Sequence, residues 1–395
     1  TKLSNGGVKM LRKSLAIVLL VAFLIVAGSA ALAAEKFREV PLELIQLMEK
    51  QFHQVWTPAG PNGEPVRGAG DLELTAEEIE KAKALDLGQY YFMGASLDMT
   101  ETLNRFGMNK VLASIGKPEI SFMGSSSIAD QIDQVTTLAG KADDIGFVVA
   151  QAWEAVTLGP SFVELAKAGV PQLHNWTTPA GLENEEYYVG LVDADGYGQG
   201  AAAAEILAYA MGYKGAVGLI YFALEQWTNV MRLKGAEDTF AKYPDIKVVG
   251  KAGFTDPSQS FDLAIGLLQK YPEIDAMWGT WMMGVATGAA EAVLSLGRLG
   301  EVVVAAPDLG GKAGAQYIAD PENPIIGAAE ADCIEMGENS VNAAIKWYLG
   351  NTDIAQGYFV SRVYPVVKAN LVDVYNKTNL EAIGELPQDV LDLLD

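Results

Sequence analysis

Polar and aromatic side chains recur where the short apolar runs of this 395-residue chain end. Ser96 and Asp98 close the first such run, Gln151 and Trp153 the third, and His174, Asn175 and Trp176 the fourth; Trp227, Arg232, Phe254, Trp281 and Asp308 stand at comparable places further on. A guanidinium fork donates hydrogen bonds, a carboxylate accepts them, an amide does both, and an aromatic face stacks. That set suits non-covalent capture of a small molecule. Each residue has a plainer reading beside it: a lone Trp or Phe packs in a core, Arg232 pairs with a surface carboxylate, and His174 is simply buried. Asp308, after VVVAAP, stands apart, because a carboxylate ending a buried strand needs a donor.

Catalytic and metal-binding patterns fail at specific positions. Gly-x-Ser-x-Gly does not occur, and GSSS at 124–127 reads as a strand-to-helix turn. GGKAG at 310–314 has Ala313 where a phosphate loop needs Ser or Thr, and GYGQG at 196–200 lacks dinucleotide spacing. DADG at 193–196 begins like a calcium loop, but Ala204 occupies the place of the bidentate Glu. Two histidines and one cysteine do not furnish an ordinary soft-ligand metal site. The reading is therefore of no enzyme, no metal and no cofactor.

From residue 88 the elements that must position these side chains alternate. Strand-like QYYFMGAS, EISFMGSS, DIGFVVAQ and VPQLHNW are separated by amphipathic helices, and the rhythm restarts with AAAEILAYAMG and the strands GAVGLIYF, IKVVGKAG, IDAMWGT and EVVVAAPD. Close βα alternation implies parallel sheets covered on both faces. Two consecutive sets imply two similar lobes, and YVGLVDADGYGQG (188–200) is the natural crossing between them. Within MWGTWMMGVATGA (277–289), Trp278 reads as strand core, Met282 and Met283 as core or hinge filler, and Trp281 as a wall at the strand end. In open α/β sheets, ligands sit beyond the carboxyl ends of the strands, so the polar strand ends are expected to share one crevice.

Residues 1–34 read as a signal peptide with upstream residues, an uncleaved membrane anchor being the less favoured alternative because the apolar run ends in small residues. Lys9, Arg12 and Lys13 precede LAIVLLVAFLIVAGSAALAA, which ends in Ala-x-Ala spacing. Residues 35–87 form an extension: the helix PLELIQLMEKQF, the linker TPAGPNGEPVRGAGD, and LTAEEIEKAKAL, where Thr75 and Glu78 have capping-box spacing. Taking the four basic residues of 1–34 (Lys2, Lys9, Arg12, Lys13) from 28 leaves 24 against 50 acidic residues, a net −26 that argues against nucleic acid as a partner. Cys333, the lone cysteine, allows no internal disulfide and lies far from the cleavage site, so no lipid-anchor cysteine is expected and the periplasm is the favoured address.

Over residues 88–368 the chain resembles type I periplasmic solute-binding proteins of the ribose/galactose-binding family. The likeness is carried by QIDQVTTLAGKADDIGFVVAQ, DGYGQGAAAAEILA, MRLKGAEDTF and AGFTDPSQSFDLAIGLLQKYPEIDAMWGT. It implies that Arg232 hydrogen-bonds a sugar, Phe254 stacks on its ring and Asp308 accepts its hydroxyls. It also implies an α/β fold of two similar doubly wound parallel-sheet lobes joined by a multi-strand hinge, with hinge strands near 193–196, 328–333 and 359–364. The first lobe departs from the pattern, reading HNWTTP where the family often has an Asp-Arg pair, and TWMM replaces the Asn-Asp expected after the later strand. The site is then poorer in charge and richer in aromatic surface.

The resulting expectation is an N-lobe over 88–193 completed by about 332–360, a C-lobe over 194–331 completed by about 361–380, and a tail over 381–395. The function expected is capture of a small neutral solute, a monosaccharide or polyol, and its delivery to an ABC transporter permease. The alternative is a receptor that presents an autoinducer-like signal to a membrane sensor or chemoreceptor.

Overall fold

Ile145–Gln151, IGFVVAQ, is buried at every position, as a strand covered on both faces must be. In the computed structural model, which describes residues 36–52, 57–94 and 99–394, this strand, β4, is central to a seven-stranded parallel sheet. Its alternate side chains serve two cores. Phe147 and Val149 face one, with Leu103 and Leu112 of α3 (Met99–Ser114) and Val341 and Ile345 of α11 (Cys333–Tyr348). Val148 and Ala150 face the other, with Val135 of α4 (Ile128–Ala139) and Phe162 of α5 (Ala155–Lys167). The sheet order is β1-β12-β6-β5-β4-β2-β3, with β1 Val66–Gly68, β2 Gln89–Gly94, β3 Ser121–Gly124, β5 Gln172–Asn175, β6 Tyr188–Ala194 and β12 Gly357–Ser361.

The second sheet runs β13-β11-β10-β9-β7-β8, from β7 Gly215–Phe222, β8 Ile246–Phe254, β9 Ile274–Gly279, β10 Val303–Ala306, β11 Ile325–Ala331 and β13 Val363–Val367. It is parallel except where β13 runs antiparallel to β11. One face packs on α8 (Ser260–Lys270), α9 (Thr287–Ser295), α10 (Gly311–Ala319) and α12 (Leu371–Thr378). The helix α6 (Gly196–Ala210) packs on β9, β10, β11 and β13, and α7 (Trp227–Phe240) packs on α6. Among the described residues no helix is long and apolar enough to cross a membrane.

The chain passes from the first sheet to the second lobe between Ala194 and Gly196, returns between Ala331 and Cys333, and crosses again between Ser361 and Val363. The stretch 188–200 thus resolves into half strand and half helix around a single joint, Asp195. The capping box of α2 (Ala76–Lys83) forms with both reciprocal hydrogen bonds, and PLELIQLMEKQF contains α1, Leu42–Phe52. The Pro/Gly-rich linker is more than a linker. Its Val66–Gly68 pairs with Tyr358–Val360 as an edge strand, a pairing that no local hydrophobic periodicity announces. The expected signal segment 1–34 lies outside the described residues.

Candidate ligand-binding cleft

The cleft begins with glycines. A Cβ on Gly200 would overlap the Arg232 carbonyl oxygen, one on Gly196 would lie 2.6 Å from the Thr228 oxygen, and one on Gly235 would overlap the Tyr197 oxygen. The backbones of α6 and α7 therefore touch, and the glycines of GYGQG serve helix contact. This contact sets Arg232 beside Gln199.

Gln199 is fully buried, and its amide nitrogen donates to the carbonyls of Pro307 and, at 3.1 Å, Ala329. Its oxygen is thereby turned to Arg232, accepting from Nε at 3.0 Å. Arg232 also donates to the Thr280 carbonyl at 3.3 Å, and its Nη1 lies 3.8 Å from Asp308 Oδ2. Asp308 Oδ1 accepts from the Met282 N–H at 2.9 Å, while a quarter of its side chain stays exposed.

Trp176 closes the first-lobe side, its ring 5.4 Å from the Arg232 guanidinium. It has φ +68°, a left-handed conformation costly for a bulky residue. The strain is held by neighbours: its carbonyl accepts from both the N–H and the hydroxyl of Thr228 at 3.0 Å. In the amide orientation that satisfies both partners, Gln151 accepts from the Trp176 indole at 2.8 Å and donates to Glu101.

Trp176, Gln199, Arg232 and Asp308 line one cavity between the lobes. Met99, Thr100 and Leu103 contribute from α3, Gly310 from the turn before α10, Glu330 and Ala331 from the end of β11, and Cys333 from the start of α11. Glu330 accepts from Leu309 N–H at 2.6 Å and from Asn379. Burial, and then the negative charge of Asp308, push it up to about 8. Cys333 is buried and its thiol is pushed well up, so it is an apolar wall and a poor nucleophile. Near neutral pH the cavity offers one cation, one anion, a neutral acid and an aromatic face. Such a lining can hold a neutral, hydroxylated molecule, with polar edges on Arg232 and Asp308 and an apolar face on Trp176.

Residues 86–350 match the sequence model of the family described as periplasmic binding protein domain. The chain belongs to that family. This periplasmic binding protein is 28% identical, over 185 residues, to a xylitol-binding protein of Mycolicibacterium smegmatis; the match takes in 46% of this chain and spans about half of the relative's length (50%). Its fold is shared with an ABC transporter solute-binding protein of Bacillus halodurans with bound myo-inositol (20% identity, TM-score 0.63, 74% of this chain and 99% of that one). The same holds for a solute-binding protein of Agrobacterium vitis bound with α-D-tagatopyranose (19% identity, TM-score 0.65, 74% and 99%).

Of the residues singled out in the sequence of this binding protein, Trp176, Arg232 and Asp308 meet in the cavity, and Gln151 stands one hydrogen bond behind. Asn175 does not face it. Its amide donates to Val192 and Ser340 and accepts from Asn104, tying β5 to β6, α11 and α3. His174 is fully buried against the Phe162 ring, and burial pushes it down to about 3, so it stays neutral. Phe254 is 1% exposed and packs, with Phe222, on Trp281, so it is core in this structure and not a stacking platform in the cavity. Trp153 donates to Ser125 and packs on the first-lobe core; Trp227 packs near Leu191 and Tyr358. Ser96 and Asp98 lie outside the described residues.

Within MWGTWMMGVATGA (277–289), Trp278 and Met282 are fully buried, but Met283 is 42% exposed and is not core. The chain kinks there, with ψ 127° at Met283 and φ +81° at Gly284, and turns the thioether outward. Gln199, Glu330 and Met99 escaped sequence reading. A carboxylate inside the apolar run IIGAAEA was the one available signal, for Glu330.

Glu330 has a consequence for stability. Between the ordinary glutamate value of 4.5 and about 8, the folded chain holds a proton that the unfolded chain has released. Stability attributable to this group therefore falls as pH rises through that window. Asp193, pushed up to about 6 by burial, acts in the same sense between 3.8 and about 6. Above pH 6.5, where buried His174 no longer acts in the opposite sense, thermal unfolding up to pH 8 is expected to give a falling Tm, with a flatter profile in Glu330→Gln; parallel profiles for the two proteins would refute the assignment.

Proposed function

We propose that this protein captures a monosaccharide or polyol between its two lobes and delivers it to an ABC transporter permease, after export by the N-terminal segment to the periplasm. The observation that carries the reading is the Arg232–Asp308 pair, held by Gln199 and the Met282 N–H, with the Trp176 ring 5.4 Å from the guanidinium in the lining of the same cavity. Arg232 donates charge-assisted hydrogen bonds, Asp308 accepts from hydroxyls, and Trp176 covers the C–H face. The names of the xylitol-binding relative and of the inositol-bound and tagatose-bound neighbours support this class of ligand.

A thermal-shift screen of the purified protein against sugars, polyols, purine nucleosides and amino acids tests it. A ligand that binds only the folded state stabilises it by about 2.7 kcal/mol at a hundredfold excess over Kd. A rise in Tm with a sugar or polyol is the expected result. Silence from both classes, with a rise from a nucleoside or an amino acid, would overturn the reading.

A further inference from the structure

Among the described residues of the extension before residue 88, none lines the cavity, yet the extension is fastened to both lobes. Its α1 buries Leu44, Ile45 and Met48 and packs on β13 and α6 of the second lobe. Arg38 N–H donates to the Ala210 carbonyl at 2.9 Å, and Glu49 pairs with Lys377 of α12 at 3.1 Å. Further along, β1 joins the edge of the first sheet, Leu72 is fully buried in the first-lobe core, and Glu78 pairs with Lys346 of α11 at 2.9 Å. Between these attachments, Thr57 reaches the joint where the chain leaves β6 for α6.

That joint is Asp195, 2% exposed. Its Oδ1 accepts from Thr57 Oγ1 at 2.7 Å, from Thr57 N–H at 3.1 Å and from Gly198 N–H at 2.9 Å. The same carboxylate oxygen thus caps α6 and is held by the extension. Tyr197 N–H also donates to Thr57 Oγ1, at 3.4 Å. One residue beyond Gly198, Gln199 orients Arg232.

We propose that the extension is a fourth hinge segment and that Thr57 is a positioning residue, which sets the geometry of the Asp195 joint and, through the first turn of α6, that of Gln199 and Arg232. Domain closure concentrates its backbone rotation in a few element-terminal residues. A residue that ties the side chain of such a joint to a segment anchored in both lobes narrows the range of angles between them. Only the affinity readout rests on the ligand reading above.

The test is Thr57→Val against Thr57→Ser in the full chain. Asp133→Cys on α4 and Asp262→Cys on α8 carry spin labels on exposed helix faces, and Cys333, which lines the cavity, is replaced by Ala (Cys333→Ala) in every labelled protein. The expected result, without ligand, is a broader or longer inter-lobe distance distribution in Thr57→Val and a wild-type distribution in Thr57→Ser. Affinity for the ligand identified by the screen is expected to fall about tenfold in Thr57→Val and recover in Thr57→Ser, which a general loss of stability does not produce. If Thr57→Val fails to fold, a protease site inserted between Asn62 and Gly63 and cut after folding severs the same connection, and the same broadening is expected. Unchanged distances in the folded variant, or in the cut protein, would overturn the proposal. If no sugar or polyol binds the wild type, the ligand reading fails, and the ligand-free distances still decide the hinge.

Discussion

Asp308→Ala is expected to abolish tight binding, lowering affinity by about 100-fold or more, since a hydrogen bond to a charged group contributes roughly 1.5–3 kcal/mol and a sugar brings more than one hydroxyl to such a carboxylate. Titration calorimetry with the ligand found by the screen measures this directly. The fold should survive with reduced stability. Truncation leaves the Met282 N–H without its acceptor and removes the anion 3.8 Å from Arg232, whose side chain is only 7% exposed. We expect a loss of about 1–2 kcal/mol, less than for a fully buried pair because Asp308 is a quarter exposed. Asp308→Asn separates the two effects. It keeps an acceptor for Met282 and removes the charge, so its Tm should lie between Asp308→Ala and wild type while its affinity stays low. Wild-type affinity in both variants would remove Asp308 from the site.

Gly200→Ala is expected to cost about 3 kcal/mol or more of stability, although alanine is the better helix former. The new methyl would overlap the Arg232 carbonyl, with the carbonyl carbon 2.6 Å and the Cα 2.8 Å away. Backbone cannot step aside as a side-chain tip can, so α6 and α7 must separate. The same separation carries Arg232 away from Gln199, so affinity should fall even in the fraction that folds. Gly266→Ala in α8 is the control: nothing lies within 4 Å of its added Cβ, and a gain of up to about 1 kcal/mol is expected there. A Gly200→Ala protein melting with wild type would mean that the helices are not in backbone contact.

What could be read in the residues alone was whatever depends on a chain's own periodicity and chemistry. Continuous apolar runs such as IGFVVAQ announce strands covered on both faces, and Thr75 and Glu78 announce a helix start, because each pattern is local. Arg232, Asp308 and Trp176 were found by a topological rule, that polar groups at the carboxyl ends of parallel strands gather in a crevice. That rule names positions and does not give directions. His174 and Asn175 sit at a strand end as Trp176 does, yet their side chains turn into the first lobe, where Phe162, Val192 and Ser340 receive them. Phe254 ends β8 and turns onto Trp281. Nothing in the spacing distinguishes these cases, since a side chain's direction at a strand end follows from the backbone turn that succeeds it and from what covers that face.

Tertiary structure alone decided the rest. Gln199 and Glu330 enter the site because α6 lies against β11 and the second crossing returns beside it, contacts between residues 130 or so apart in sequence. The edge strand Val66–Gly68 exists through its partner β12, and Thr57 acquires a role because the fold brings Asp195 to it across 138 residues. Most helices and strands, the two-lobed plan and the strand-end candidates Trp176, Arg232 and Asp308 follow from local propensity and composition. The orientation of each site residue, and the attachment of the extension to both lobes, depend on close packing between distant segments, a property of the folded chain that no single stretch of it contains.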